Sequence, residues 1–539
     1  MRTLLLAAAL LATPASADTL IDNVNGLQVD AKGQLQKFTG LWIGNDGKVV
    51  KLLGAKDARP KRVAIRINGR GRAMLPGLID AHGHVTGLGE TALTLNLEGT
   101  TSLAELQQRL KDYAAAHPGT GWIEGGSWNQ ERWPTKRFPT AADLDAVVAD
   151  RPVMLQRIDG HALVANSAAM RAAGVTPQTP VPSGGAIDQG LFVDNAMSLI
   201  EAKIPTATSA VRDARLAKSL EILRGYGLTA TADMGTLPAD WAAMQRAGGR
   251  GELTARIMSY GAGMAGATAI SANGPTAWLY RDRLKLEGVK LYADGALGSR
   301  GAWLKAPYAD KPDTSGLRFH TDAEYGALVA EAAKRRYQIA THAIGDAADA
   351  QVIAAYEGLA KTYGTDRRWR IEHAQVLDPA DIGRLAPAGI IASMQPVHQT
   401  SDRKMAEARL DPARLTGAYA WASMLKNGSV LAFGSDVPVE SANPFPGLAA
   451  AITREGADGQ PFGGWQPQER ISREAALAGF TTGAAFAGQA EDRIGRLASG
   501  YRADFILVDV DPLLSTPGEL RATKVIETWV SGKRVFRAK

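Results

Sequence analysis

The chain has 539 residues, 45% of them apolar and 22% charged, the balance of an ordinary globular protein long enough for one large domain with appendages. Its formal charge is +6, but Lys and Arg are scattered without a long basic run, which argues against a nucleic-acid partner. There is no cysteine, so thiol nucleophiles, thiolate metal sites and iron–sulfur clusters are excluded, and any metal must rest on nitrogen and oxygen donors.

The N-terminus "MRTLLLAAALLATPASADT" combines Arg2, an apolar stretch from Leu4 to Ala12 and the small-residue run Ala15-Ser16-Ala17. This pattern predicts a signal peptide over residues 1–17, cleavage before Asp18 and an exported, periplasmic or secreted protein. No later run of about 18 apolar residues follows, so no membrane span is expected.

Residues 18–75 alternate short apolar runs with turn signals such as "NDG", and the tail over 486–539, "RADFILVDVDP" and "VIETWVSGKRVFRAK", has the same character. Together they predict one small β-sandwich built from both termini. Between them, over 76–485, eight apolar segments precede helical patterns: "AMLPGLIDAHGH", "GLTATADMG", "ARIMSYGAG", "GVKLYADGA", "YQIATHAIGD", "WRIEHAQ", "GIIASMQPVH" and "VLAFGSDVP". Eight βα units predict an α/β fold, a TIM-like (β/α)8 barrel, with an open doubly wound sheet as the alternative. The first two strands are far apart. The intervening residues, about 85–225, read as a large insertion with strands of its own, over the barrel mouth where function resides.

Five of the eight strands end in or carry a residue able to bind a metal: His82 and His84, Lys290, His342, His373 and Asp436. In a strand, His82 and His84 project to one face, and the C-terminal ends of different barrel strands converge on one point. Lys290 sits in the apolar run "GVKLYADG". Burial there disfavours the ammonium, and a neutral amine reacts with carbon dioxide to a carbamate able to bridge two metals; the other reading is an ion pair with Asp294.

The order His-X-His, Lys, His, His, Asp on strands one, four, five, six and eight resembles the amidohydrolase superfamily. The strings "LPGLIDAHGH", "GGSWNQERWP", "DGHALVANSAAM", "GVKLYADGALGSRGAWL", "THAIGD", "RIEHAQ" and "FGSDVPVES" look like its family of metal-dependent amidohydrolases that includes the N-substituted formamide deformylases. The resemblance spans nearly the whole mature chain and implies one or two divalent metals, usually zinc. Carried over, His82, His84 and Asp436 hold the first metal and His342 and His373 the second, with carbamylated Lys290 bridging them. It further implies hydrolysis of a C–N bond in a small-molecule amide by metal-activated water, with Asp436 as proton shuttle.

His161 resembles a position of that family facing the substrate, with a buried structural histidine as the other reading. His398, ending the seventh strand, is a candidate to hydrogen-bond to the substrate or to the reaction intermediate. Trp122, Trp128, Trp133 and Trp303 form either a pocket wall or local core. Arg157 and Arg300 are candidates for pairing with a substrate carboxylate, and Asp294 joins the candidate substrate-binding residues. His117 and His320 read as solvated. "GAGMAG", Gly261 to Gly266, satisfies G-X-G-X-X-G, but a poor helix follows and Glu287 precedes its strand, so nicotinamide binding is set aside. Competing functions are hydrolysis of an ester, lactone or cyclic imide, and non-catalytic binding on the same scaffold. The sequence leaves the substrate and the oligomeric state open.

Overall fold

In the computed structural model, which describes residues 18–30 and 32–539, eight parallel strands form a nearly closed ring. The expected signal segment, residues 1–17, lies outside the described residues. The barrel strands are β1 (Leu78–Gly83), β2 (Leu228–Thr236), β3 (Arg256–Ala262), β4 (Leu284–Tyr292), β5 (Gln338–Ala343), β6 (Arg370–His373), β7 (Ile391–Met394) and β8 (Leu431–Phe433), each hydrogen-bonded to the next. The ring closes just beyond β8, where Asp436 donates its N–H to the His82 carbonyl and His84 donates to the Val437 carbonyl, both at 2.7 Å. Gly434 permits that closure: a Cβ there would lie 2.5 Å from the His82 nitrogen.

Apolar runs punctuated by glycine make these strands, and their two faces go to two cores. Ile79, Ala230, Met258, Ala340, Ile391 and Ala432 come from six strands, cluster inside the ring and rest on the helix Thr482–Ala487. The other faces pack against the surrounding helices, as Leu228, Ile257, Leu286, Ile339, Ile371 and Phe433 do. Among the described residues no helix is long and apolar enough to cross a membrane.

Both termini contribute to one further sheet. Strands Thr19–Val29, Leu35–Ile43, Val49–Leu53, Ile65–Asn68 and Ala73–Pro76 join Phe505–Val508, Val525–Val530 and Lys533–Arg537. Hydrogen bonding links all eight into a single sheet, where the sequence suggested a sandwich. The long first strand allows this by pairing Ile65–Asn68 along Thr19–Asp22 and Ala73–Met74 along Asn25–Gly26. An enclosed ion pair fastens this sheet to the barrel: Arg256 on β3 donates Nε to Asp504 Oδ2 at 2.7 Å and Nη2 to Oδ1 at 2.8 Å, with both side chains buried. Asp504→Ala leaves that guanidinium unpaired and is expected to cost about 3–5 kcal/mol, read as a lowered urea midpoint, whereas the double change Arg256→Met, Asp504→Leu should recover most of it.

The insertion is a second α/β layer, a six-stranded sheet running from Leu95–Asn96 to Leu191–Asp194 with its own apolar core. It ends earlier than expected. Helix Ser209–Gly225 buries Leu216, Leu220 and Leu223 in the barrel's outer core and so belongs to the barrel.

Candidate metal centre

The C-terminal ends of five strands bring His82, His84, Lys290, His342, His373 and Asp436 together. Asp436 Oδ1 lies 3.3 Å from His82 Nε2 and 3.1 Å from His84 Nε2, and Lys290 Nζ lies 3.4 Å from His82 Nε2. The His373 ring is 4.8 Å from that of His82 and 4.6 Å from that of His342.

Each of three histidines has Nδ1 engaged, which leaves Nε2 to face inward. His82 Nδ1 meets Glu372 Oε2 at 2.7 Å, His373 Nδ1 meets Gln395 Oε1 at 2.8 Å and His161 Nδ1 meets Asp194 Oδ1 at 2.6 Å. Glu372 is itself gripped by Arg370 at 2.7 and 3.0 Å, inside the barrel. Arg370 and Glu372 lie two residues apart on one face of β6. Regular alternation would turn His373 away from that face, yet it reaches His82 too. The left-handed backbone at His373 (φ 76°) and Ala374 (φ 44°) breaks the alternation, and Asp436 (φ 59°) shares that conformation. For a non-glycine residue it costs roughly 1–2 kcal/mol. Asp80 bonds the His82 N–H at 3.1 Å and the Ser435 N–H at 2.9 Å, pinning the two chain segments that carry His82 and Asp436.

Burial pushes the Lys290 ammonium down to about 8, against the upward pull of Glu372 and Asp436. Burial, then neighbouring cationic groups, holds His342 and His373 well below the usual imidazole range. Burial works to raise the Asp436 carboxyl, but His82 foremost, then His84 and His373, hold it well below the usual carboxylate range. Burial thus favours neutral imidazoles at His342 and His373 beside an ionised Asp436 carboxylate, the protonation states that metal ligation requires.

Among the described residues two groups bring three donor atoms within 4.8 Å of one another: His82, His84 and Asp436, and His373, His398 and Asp436. An all nitrogen and oxygen donor set of this kind fits a divalent ion such as zinc. His342, expected to share a second ion with His373 and Lys290, lies with its ring 4.6 Å from that of His373, and its Nε2 faces the Gly295 carbonyl at 3.3 Å.

Above the centre, between barrel mouth and insertion, lies a cavity of about 990 Å³ whose walls include His84, His161, Lys290, Tyr292, His320 and His342. A recess of about 70 Å³ continues past His373 towards His398, Asp402 and Glu440. Arg157 borders both, but is already paired with Asp159 and donates Nε to Gln130 at 2.9 Å.

Several sequence expectations are corrected by placement. Trp128 is wholly enclosed in the insertion core, its indole N–H donating to the Leu155 carbonyl at 2.8 Å, and Trp133 packs beside it; neither reaches the cavity. Trp122 packs against the insertion's second apolar cluster, and Trp303 lies under the Arg318 guanidinium. Asp294 does not pair with Lys290. Its carboxylate accepts the backbone N–H groups of Trp303, Ile344 and Gly345 at 2.8, 3.1 and 2.9 Å, so it pins two loops and lines neither the cavity nor the recess. Arg300 is spent on Asp310, 2.8 Å away. His398 lies in the first turn of the helix Pro396–Arg409, beyond the end of β7. His320 lines the cavity, whereas His117 is exposed and stacked on Tyr113. "GAGMAG" does enter a helix, Gly263–Ile270, and Glu287 lies within β4, paired with Lys285.

Glu372 was not singled out from the sequence. The available signal was the string "RIEH", in which a short apolar strand carries opposite charges at alternate positions. Because Glu372 fixes the His82 tautomer, Glu372→Gln is expected to weaken metal binding about 10- to 100-fold, measured by competition with a chromophoric chelator.

A profile of the amidohydrolase family matches residues 67–536. YtcJ of Bacillus subtilis (strain 168) is 32% identical over 501 residues, covering 90% of this chain and 92% of that protein. An N-substituted formamide deformylase of Arthrobacter pascens is 25% identical over 554 residues, covering 96% and 97%. The crystal structure of a metal-dependent hydrolase from Pyrococcus horikoshii OT3 superposes with a TM-score of 0.75 at 26% identity, covering 93% of this chain and 99% of that one.

Proposed function

The chain belongs to the amidohydrolase family and is a metal-dependent hydrolase, and from that premise we propose that it cleaves a C–N bond in a small-molecule amide, of the N-formyl or N-acyl class. The observation that carries this reading is the convergence of His82, His84 and Asp436, within 4.8 Å at their donor atoms, on the floor of a cavity sized for an organic substrate. The similarity to an N-substituted formamide deformylase over nearly the whole of both chains supports the amide class.

In this reading His82, His84 and Asp436 would hold a divalent ion such as zinc, and His342, His373 and Lys290, as its carbamate, would serve a second position. When bound, the metal polarises a carbonyl oxygen and brings the pKa of a water to about 7. Asp436 takes the proton of the attacking water on a carboxylate oxygen and returns it to the departing nitrogen. His161, its Nδ1 held by Asp194, turns its other ring nitrogen to the substrate, and the insertion screens the site from bulk water.

The test is a panel of N-formyl and N-acyl amides, esters, lactones and cyclic imides, run on zinc-loaded and chelator-stripped protein. Amide turnover should dominate, vanish on chelation and return with Zn²⁺. Preference for an ester, lactone or imide would shift the assignment to that bond, and turnover indifferent to chelation would overturn the metal mechanism. We also propose export through residues 1–17; the intact mass of the exported protein should begin at Asp18, and retention of those residues would refute it.

A further inference from the structure

The recess beside His373 carries charge that the metal chemistry does not use. His398 and Asp402 stand four residues apart on the helix Pro396–Arg409 and so share a face, and Glu440, from the loop after β8, lines the same space. Asp402 Oδ2 is met by neutral donors, the Tyr419 hydroxyl at 3.1 Å and Gln375 Nε2 at 3.4 Å, and among the described residues neither Asp402 nor Glu440 is in an ion pair. Most other charges on the wall are already matched: Arg157 is paired with Asp159, and Glu131 lies 2.8 Å from Arg409. Asp436 aside, two carboxylates thus face one uncommitted cation, Arg132. Burial, aided by Glu440 and opposed by His398, pushes the Asp402 carboxyl up to about 6, a desolvation that a neighbouring cation offsets. His398 adds an independent observation. It is 7% exposed, borders the recess, and its Nε2 has no hydrogen-bond partner, which is unfavourable for a buried polar atom.

We propose that the recess is a subsite for a cationic head group of the substrate, a primary ammonium or a guanidinium, held by Asp402 and Glu440 with His398 Nε2 accepting a further N–H. Such a head brings donors and no acceptor, which matches two carboxylates and an imidazole nitrogen free to accept. The volume of about 70 Å³ admits a small head and excludes a bulky one. For its place in the reaction this inference rests on the amide reading above. Asp436 and His373 border both the recess and the larger cavity, so the nitrogen that Asp436 protonates stands where the two spaces meet, with its substituent in the recess and the acyl group in the cavity. The substrate class is then an N-formyl or N-acyl derivative of a short diamine or guanidinoalkylamine.

Calorimetric titration of the zinc-loaded, full-length chain with three amines of one length, 1,4-diaminobutane, pentylamine and 4-aminobutanoate, tests the subsite apart from turnover. All three offer the same amine to the metal centre and differ at the far end, which is cationic, neutral or anionic. The diamine should bind about 10- to 100-fold tighter than pentylamine, the scale of a charge-assisted hydrogen bond, and 4-aminobutanoate should bind weakest. Asp402→Asn and Glu440→Gln should each remove most of that preference, with thermal unfolding showing that both variants are folded. The N-formyl derivatives of the three amines should show the same order in kcat/KM. A diamine that fails to bind, pentylamine bound as tightly, tighter binding of 4-aminobutanoate through Arg132, or a diamine preference that persists in both variants would overturn the subsite. Failure of the amide reading looks different. A diamine preference that depends on Asp402 and Glu440, without turnover of any amide, keeps the subsite and removes the amide assignment; turnover of the N-formyl amides without charge preference keeps that assignment and removes the subsite.

Discussion

Asp436→Asn is expected to lower kcat by about 10²–10⁴-fold, the range attributable to general acid–base catalysis, with a much smaller change in KM. The carboxylate is placed for proton transfer: Oδ1 lies within 3.3 Å of two imidazole nitrogens, the side chain is buried, and its backbone is held left-handed at φ 59° just past the end of β8. Its ionised state leaves a carboxylate oxygen able to accept a proton. Asparagine keeps the shape and one carbonyl oxygen, so His82 and His84 should retain a metal ion, but the amide cannot carry a proton between water and leaving nitrogen. Metal content measured beside the rate separates the two roles. Lost turnover with the metal at His82 and His84 retained assigns proton transfer to Asp436, and near wild-type turnover would remove it from the mechanism. Asp436→Ala should be worse in both readouts, because it also deletes a ligand.

The eight barrel strands were legible because each is a short apolar run closed by glycine or a polar turn, and donors at strand ends needed only the barrel to meet. Pairing was less legible. Linear pattern located the terminal strands but could not show that Thr19–Val29 would use its two halves for different partners and fuse them all into one sheet. Helix Gly263–Ile270, rich in glycine and small residues, has weak local propensity and forms in contact with its neighbours; Gly266 and Ala267 are buried there.

At the site, what failed was direction. Trp128 was open to a pocket wall or local core, and it takes the second: it ends the strand Ile123–Trp128, and the Leu155 carbonyl of the neighbouring strand accepts its indole N–H. Asp294 and Arg300 are near the centre in sequence, yet backbone amides and Asp310 occupy them first. Conversely, Glu372 and Gln395 matter through the ring nitrogens they bond, contacts that exist once the ring closes and turns β1, β6 and the end of β7 toward one interior. His398 needed the helix after β7 to bring it back over His373.

The last prediction concerns Lys290, where Lys290→Ala should lose metal, chiefly from the second position, and with it most activity. The side chain is 1% exposed, 3.4 Å from His82 Nε2 and 4.8 Å from the Tyr292 ring centroid. An ammonium so placed suffers desolvation, and a divalent cation on His82 adds repulsion at close range in a medium of low dielectric. Reaction of the neutral amine with carbon dioxide, forming an N–C bond and releasing one proton, replaces that cation with an anionic carbamate and turns repulsion into attraction. Asp294, the competing partner, is withdrawn by three backbone N–H groups, so among the described residues no carboxylate pairs directly with Lys290 to stabilise the ammonium instead. Short carboxylic acids added to Lys290→Ala should restore part of the activity by filling the vacated space with a carboxylate. Lys290→Arg should fail as well, since a guanidinium stays charged and forms no carbamate. A mass increase of the metal-loaded protein that disappears on acidification would report the carbon dioxide adduct. A high-resolution map showing an unmodified Lys290 in a fully metal-loaded, fully active enzyme would rule the carbamate out and assign the lysine a purely electrostatic role.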